Sequence, residues 1–428
     1  MMKLIISYLI SVIITLSLAS KPEMYSIQPG MPTLVDVPYF NSSADADFIK
    51  EAIKTLDVWM LHKLAHIGSM RSRKQRVEIL ETLKERHSVD LVKEYMSRRI
   101  FDGQVGVLVQ ALFMSRAEFL AREVRWAIDG LGTDENTLTD IFCCLDPNEI
   151  SYFEIEKAYK RLYKPDDMSH DITMDVAGPY RRLLWSLRYQ RHNKTNDTNA
   201  KLIADTYFNN DINTTQFLKM EDKYTSYLSL SSYDEIRLTS KYFRDSRGIS
   251  LGSYLSNITT LKNHGFFTSN YWWLNFAGKN LPGLVMSIMN YSNDKIGYYV
   301  DLIRTGFNEG EYRRLIRAVA LRADIDLELV KLRFKSEYRG NRINTLVSEA
   351  LNLSSKFVHP PREVNFIRML LIKVMCGNRD PDRDLDMIQR WDKTKGYLDT
   401  ALKTRLDRLE TLDRGSRSCL HAEPFNPY

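Results

Sequence analysis

Residues 116–142 read RAEFLAREVRWAIDGLGTDENTLTDIF, and this stretch decides the fold. Phe119, Val124, Ala127 and Ile128 recur at the spacing of one helix face. Gly130 and Gly132 then break the helix, and Leu138, Ile141 and Phe142 resume the same period. Downstream, Ile155, Ala158, Tyr159 and Leu162 form another apolar face, and Tyr180, Leu183, Leu184 and Leu187 a closing one. Short polar turns separate these pieces, which makes one unit of about five helices. No helix of this kind buries its apolar face alone, so the unit must pack as a bundle and against its neighbours.

The layout recurs along the chain. Apolar closing helices end near Leu112 (VLVQAL), Leu187 (RLLWSL), Met289 (LVMSIM) and Cys376 (LIKVMC). The intervals of about 75, 100 and 87 residues exceed those of common solenoids and differ by insertions. Strand-like alternation is almost absent from Ala44 onward, so the chain is expected to be all-α. The pattern divides it into 1–20, 21–43, a first block 44–113, a second 114–190, a divergent third 191–290, a fourth 291–378 and a charged helical C-terminal extension 379–428.

At this point the residues carry a resemblance. Gly130-Leu131-Gly132-Thr133-Asp134-Glu135, followed by Leu138, Ile141 and Ala158-Tyr159, resembles the signature of an annexin repeat. Val35-Asp36-Val37-Pro38-Tyr39-Phe40 before Ala44-Asp45-Ala46-Asp47 is similar to the entry into that family's first repeat, and Arg317-Ala318-Val319 through Arg322-Ala323-Asp324-Ile325-Asp326-Leu327 to a fourth. The resemblance covers about residues 33–378, most specifically in the second block. It implies four five-helix repeats in a curved array, with Ca²⁺-dependent binding to an anionic phospholipid surface and no enzymatic activity.

A Gly-x-Gly-Thr turn suits such an ion. Glycine accepts backbone angles that turn carbonyl oxygens inward together, and Ca²⁺ takes six to eight oxygens. The family pattern brings a carboxylate from the turn ahead of the last helix of the repeat, here Met174-Asp175-Val176-Ala177-Gly178-Pro179-Tyr180. The carbonyls of Ile128, Gly130 and Gly132 with Asp175 as bidentate cap are therefore the expected ligands, and Thr133 and Glu135 are candidates for a second, weaker ion. In the first block, Lys54-Thr55-Leu56-Asp57 and Ile100 replace loop and acid. In the third, Phe208-Asn209-Asn210-Asp211 and Asn275 do so, and both sites look lost. The fourth block retains Gly306 and Gly310, with Glu363 at the cap. An insert in the third, His264-Gly265-Phe266-Phe267-Thr268-Ser269-Asn270-Tyr271-Trp272-Trp273, offers Phe266, Phe267, Trp272 and Trp273 as membrane-contact residues, because aromatic rings favour the headgroup zone. Packing of the two tryptophans into a core is the plainer reading.

Composition narrows the partners. The 428 residues are 44% hydrophobic and 27% charged, which excludes wholesale disorder. A formal net charge of +6 favours anionic lipid or acidic glycan, without the concentrated Lys/Arg stripe of a nucleic-acid binder. Lys3, the uncharged run Leu4 to Leu18 and small residues at Ser17 and Ala19 read as a secretory signal, so a secreted, peripherally membrane-associated protein is expected. Seven N-x-S/T sequons begin at Asn41, Asn193, Asn196, Asn213, Asn257, Asn290 and Asn352 and are potential glycosylation sites. Four cysteines make no disulfide scaffold; adjacent Cys143 and Cys144 fall in a helical pattern, where they do not easily bridge each other, and Cys376 and Cys419 are the other candidates for pairing.

Other motifs fail on inspection. His62 and His66 have metal-capable spacing, but Lys63 stands where a zinc protease carries glutamate. Asp380, Asp382, Asp384 and Asp386 mimic an EF-hand start, but Leu385 and Trp391 occupy the positions of its glycine and closing glutamate. Leu385, Ile388, Trp391, Leu398, Leu402, Leu406, Leu409 and Leu412 instead make a helical stripe. No phosphate loop, nucleophile elbow or paired-carboxylate cleft is present, so no enzyme is expected. The alternative function is a secreted interaction protein that keeps the scaffold but binds a protein or glycan without calcium.

Overall fold

Ser72, Ser115 and Ser151 stand three residues ahead of Gln75, Glu118 and Glu154, and each pair closes a reciprocal cap on a helix N-terminus. Asp90, Asp134, Asp167 and Ser232 cap four further helices through one side-chain oxygen each. A computed structural model describes residues 31–337 apart from 39, 56–57, 97, 99–100, 102, 131, 190, 192–196, 207, 209–222, 257–280 and 309–310, and then 371, 374–375 and 377. Among the described residues there is no strand. The chain is all-α.

The first helices are α1 (Ser42–Ala52), α2 (Val58–Met70), α3 (Arg73–His87), the short α4 (Leu91–Glu94) and α5 (Gln104–Phe113). Next come α6 (Arg116–Ile128), α7 (Glu135–Phe142), α8 (Tyr152–Leu162), α9 (Met168–Asp175) and α10 (Gly178–Ser186). Then follow α11 (Asp197–Thr206), α12 (Tyr233–Arg247) and α13 (Leu281–Asn293), with helical residues 223–230 and 251–256 between them. The last are α14 (Lys295–Asn308), α15 (Tyr312–Ala323) and α16 (Leu327–Glu337). The expected boundary at 113 falls between α5 and α6. The one at 290 falls inside α13, which runs on to Asn293. Helix α7 stops at Phe142 with Cys143 as its C-cap, so the adjacent cysteines form the following turn and do not lie within the helix. The signal, the aromatic insert and the C-terminal extension lie outside the described residues.

Apolar faces pair in the order the periodicity requires. Helix α1 packs on α3, α2 on α5, α6 on α7 and α8, α11 on α12, and α14 on α15 and α16. Cross-connections run from α15 to α5 and from α13 to α7. One apolar core results, continuous from Leu34 to Met375. His62 is a buried member of α2.

Helix α15 is amphipathic in an unusual sense, because two of its buried positions, Arg317 and Arg322, are arginines. Arg317 reaches Glu123 of α6 at 2.9 Å and Asp140 of α7 at 2.9 Å. Arg313 bonds Glu123 at 2.7 Å, and Arg314 bonds Asp140 at 2.7 Å. Glu123 has no exposed surface. One turn on, Arg322 bonds Glu149 at 2.6 Å and also pairs with Asp326, while Lys295 closes on Glu149 from α14. Asp324 receives Arg76 of α3 at 2.6 Å.

A strap ahead of α1 ties the two ends of the described chain together. The amides of Thr33 and Leu34 donate to Ala323 O at 2.8 and 3.1 Å, and the Thr33 hydroxyl donates to Val374 O at 2.7 Å. Val37 exchanges two bonds with the Gln75 side chain, and Ser72 donates to Asp36. Gly377, at φ +83, lies so close that a Cβ there would stand 2.2 Å from the Thr33 carbonyl oxygen.

Two outcomes follow from this packing. Gly377→Ala combines a left-handed backbone with a clash against main chain, so denaturant unfolding should show a loss of at least about 2 kcal/mol. Gly103→Ala, where a Cβ would meet nothing, should lose no more than about 1 kcal/mol by comparison. The second outcome concerns acid. Burial opposes ionisation of Glu149, but Arg322 and Lys295 more than offset it and hold the carboxyl at about 2, below its ordinary 4.5. A depressed folded value contributes stability above the unfolded value and loses it as pH falls toward the folded one. Glu149→Gln should therefore be less stable than the parent by roughly 2–3 kcal/mol above pH 5 or so. Melting curves should show the gap narrowing as pH drops from about 4.5 toward 2.

Candidate functional site

After Ile128 the chain leaves α6, turns through residues 129–134 and enters α7. The Asp134 amide donates back to Ala127 O at 2.8 Å, which closes the turn, and the Asp134 side chain caps α7 through the Thr137 amide. Inside this corner Gly130 has φ +103 and Gly132 φ +95, and a Cβ at either would meet no atom within 4 Å. The left-handed backbone, and not crowding, is what requires glycine here.

The second half of the site arrives from 42 residues downstream. Helix α9 ends at Asp175, and α10 begins at Gly178 with Pro179 in its first turn. The Thr133 hydroxyl lies 2.6 Å from Asp175 Oδ2 and 3.0 Å from Asp175 O. The carboxylate is thus anchored to the residue that follows Gly132, half-buried at the lip of the corner. Beside it Met174 is 76% exposed. Below the corner, the buried Tyr180 donates to Glu135 O at 2.9 Å and meets the Thr139 hydroxyl at 3.1 Å, pinning α10 to the start of α7. Burial pushes the Tyr180 phenol well above its ordinary value, against the hydrogen bond from Thr139, so it remains a protonated donor.

Among the described residues no group of three or more His, Cys, Asp or Glu side chains gathers as a metal cluster. A cation at this corner would depend on main-chain carbonyls and one carboxylate. All of these are hard oxygen donors, the kind that suits Ca²⁺ and does not suit a thiophilic metal.

The structure brings together Gly130, Gly132, Thr133 and Asp175. Thr133, expected beside Glu135 at a second ion, bonds Asp175 instead. Glu135 offers its main-chain oxygen to Tyr180. In the fourth block, Gly306 lies within α14 and is buried, with a Cβ there 3.3 Å from Leu315 Cβ. Its place is a helix-packing position, and any bend begins only after Asn308. Gly310, Glu363, Phe266, Phe267, Trp272 and Trp273 lie outside the described residues. In the third block Phe208 is fully buried against Tyr224, Tyr227 and Phe243, so the expected loop position serves as core. In the first, Lys54 pairs with Glu51 and the Thr55 hydroxyl donates to Ala52 O. Sequence reasoning missed the reach of Tyr180 across to Glu135. The aromatic two residues after Gly178 was legible as an apolar position, but nothing marked its hydroxyl as a tie.

Comparison with known proteins points to one family. The family model described as Annexin matches residues 119–187, the stretch that holds both halves of the corner. Annexin A13 of Mus musculus is 26% identical over 308 residues, covering 70% of this chain and 88% of the relative. Of annexin A6 of Gallus gallus and annexins A3 and A5 of Mus musculus, the chain spans less than two thirds of the length. Among solved structures, annexin III superposes with a TM-score of 0.60 at 21% identity, over 82% of this chain and 98% of that one. A calcium-bound annexin (Sm)1 gives a TM-score of 0.57 at 18% identity, over 81% and 93%. These structural likenesses establish the fold. The matched family signature and the curated relatives add a similarity in sequence to annexins, strongest over the stretch that holds the corner.

Proposed function

We propose that this protein binds anionic phospholipid membranes through Ca²⁺ held at the corner between α6 and α7. The observation that carries this reading is the Thr133–Asp175 bond of 2.6 Å, which fixes a carboxylate beside two left-handed glycines. The carbonyls of Ile128, Gly130 and Gly132 and the Asp175 carboxylate would hold the ion. One carboxylate neutralises half of its charge, so the bound ion keeps a net positive charge and seeks an external anion. Lipid phosphate supplies one, and water fills what coordination remains. Annexins bind calcium and phospholipid in general, and a calcium-bound relative shares the fold, which supports the same chemistry here.

The other expected elements are secondary in this reading. The fourth block contributes a weaker ion through Gly310 and Glu363, and Phe266, Phe267, Trp272 and Trp273 add headgroup contacts. Linked weak contacts multiply in effect, so a chain with one strong corner needs more calcium than one with four. Residues 1–20 direct export, where calcium is abundant, and the role is one of binding and not of catalysis.

Sedimentation with phosphatidylserine vesicles, at graded calcium and in chelator, tests this. The parent should pellet with vesicles only when calcium is present. Asp175→Ala should raise the calcium needed for half-maximal binding by on the order of tenfold or more, with the helical circular dichroism unchanged. Equal binding in chelator would replace this reading with calcium-independent recognition of a protein or glycan.

A further inference from the structure

We propose that Cys143 and Cys144 form an oxidisable pair, in which Cys144 reacts with hydrogen peroxide and Cys143 then closes an adjacent disulfide. The two sulfurs lie 3.3 Å apart in the turn between α7 and α8, both as free thiols. Their surroundings differ. Cys143 has no exposed surface and its sulfur meets Tyr298 Oη at 3.1 Å, while Cys144 is partly exposed. Cys144 also lines a cavity of about 50 Å³ together with Arg314, Arg317 and Arg322 and the carboxylates Asp140 and Glu149 that pair with them. That space admits a molecule of peroxide size, which needs little more room than a water.

The chemistry divides accordingly. The Cys144 sulfur attacks one peroxide oxygen and the O–O bond breaks. The departing hydroxide takes up the thiol proton as water, leaving a sulfenic acid. Burial, with Cys144 beside it, pushes the Cys143 thiol well above its ordinary value, so Cys143 keeps its proton until this point. Its sulfur then displaces the hydroxyl from Cys144, the S–S bond forms, and the Cys143 proton leaves with that hydroxyl as a second water. Two thiols lose two electrons, and one peroxide gains them.

The bond so formed is easily reversed. Neighbouring Cα atoms are held about 3.8 Å apart by the peptide, closer than the roughly 4.4–6.8 Å that relaxed disulfides span. A strained disulfide of this kind is readily reduced and acts as a switch more than as a staple. The turn it would distort is also a junction. Tyr233 of α12 donates to Cys143 O at 2.8 Å and approaches Leu145 O at 3.2 Å, and Tyr298 belongs to α14. Closing the ring moves the carbonyl that Tyr233 holds, so oxidation loosens α12 from the second block.

The test uses the reduced full chain, and beside it a Cys376→Ser/Cys419→Ser form, exposed to a small molar excess of hydrogen peroxide. Peptide mass spectrometry should show the 143–144 peptide lighter by two hydrogens, with both thiols lost together and both restored by reduced glutathione. Amide exchange in 233–247 should rise several-fold on oxidation. In Cys144→Ser, the Cys143 thiol should persist under the same dose. Four outcomes overturn the proposal: persistence of both thiols under conditions that oxidise a reference dithiol peptide, gain of oxygen on Cys144 with Cys143 still alkylatable, equal loss of Cys143 in Cys144→Ser, or, in the unaltered chain, a link to Cys376 or Cys419.

Discussion

Two carboxylates with almost no access to water, Glu123 and Asp140, govern how this molecule is assembled. Neither residue tolerates burial as an unpaired anion, since the desolvation cost is several kcal/mol for each ion. Three arginines from α15 answer them in a fixed geometry. Arg317 reaches both acids, Arg313 takes one and Arg314 the other. An apolar contact between α6, α7 and α15 would allow sliding by a residue or a few degrees. Planar guanidinium forks on buried carboxylates do not, and that register is what the ions contribute beyond mere attraction. The same helix carries Arg322 to Glu149 and, just past its end, Asp324 to Arg76, so one element sets the position of the first and second blocks together.

The corner depends on this indirectly. Helices α6 and α7 flank it, and both are anchored on their inner faces by Glu123 and Asp140. The loop between them is left with backbone strain that only Gly130 and Gly132 relieve, and with Thr133 facing α9. The frame is stiff, and the open mouth has few side chains of its own. A cation there would be recognised mainly by main-chain oxygens, with Asp175 as the one carboxylate at hand. The family model matches residues 119–187, the stretch that builds this corner.

How much the sequence disclosed follows the same division. Helix periodicity exposed the all-α plan, because it is a local property of a few neighbouring residues. The pairing of Asp175 with the glycine corner was reached only through family resemblance. Nothing local links positions separated by more than forty residues. Arg317 was visible as part of a repeat-like motif, but its role was not, and Arg313 and Arg314 drew no notice, since an arginine on an amphipathic helix ordinarily faces water. Gly306 misled for a related reason: a glycine signals a turn by default, and here it lies inside a helix against Leu315. The cysteine turn was read as helix because α7 ends one residue before the pair, below the precision with which periodicity locates a helix end.

The strap through Thr33 imposes an order on how the protein comes into being. Its bonds to Ala323 and Val374 join positions 290 and 341 residues apart, so their partners emerge from the ribosome long after Thr33 itself. During synthesis the earliest described segment must wait, its donors served by water, while the helices behind it collapse in sequence. Contacts of such long range are entropically late and slow to close. The strap is thus a clasp that cannot fasten until the chain has been made through Val374.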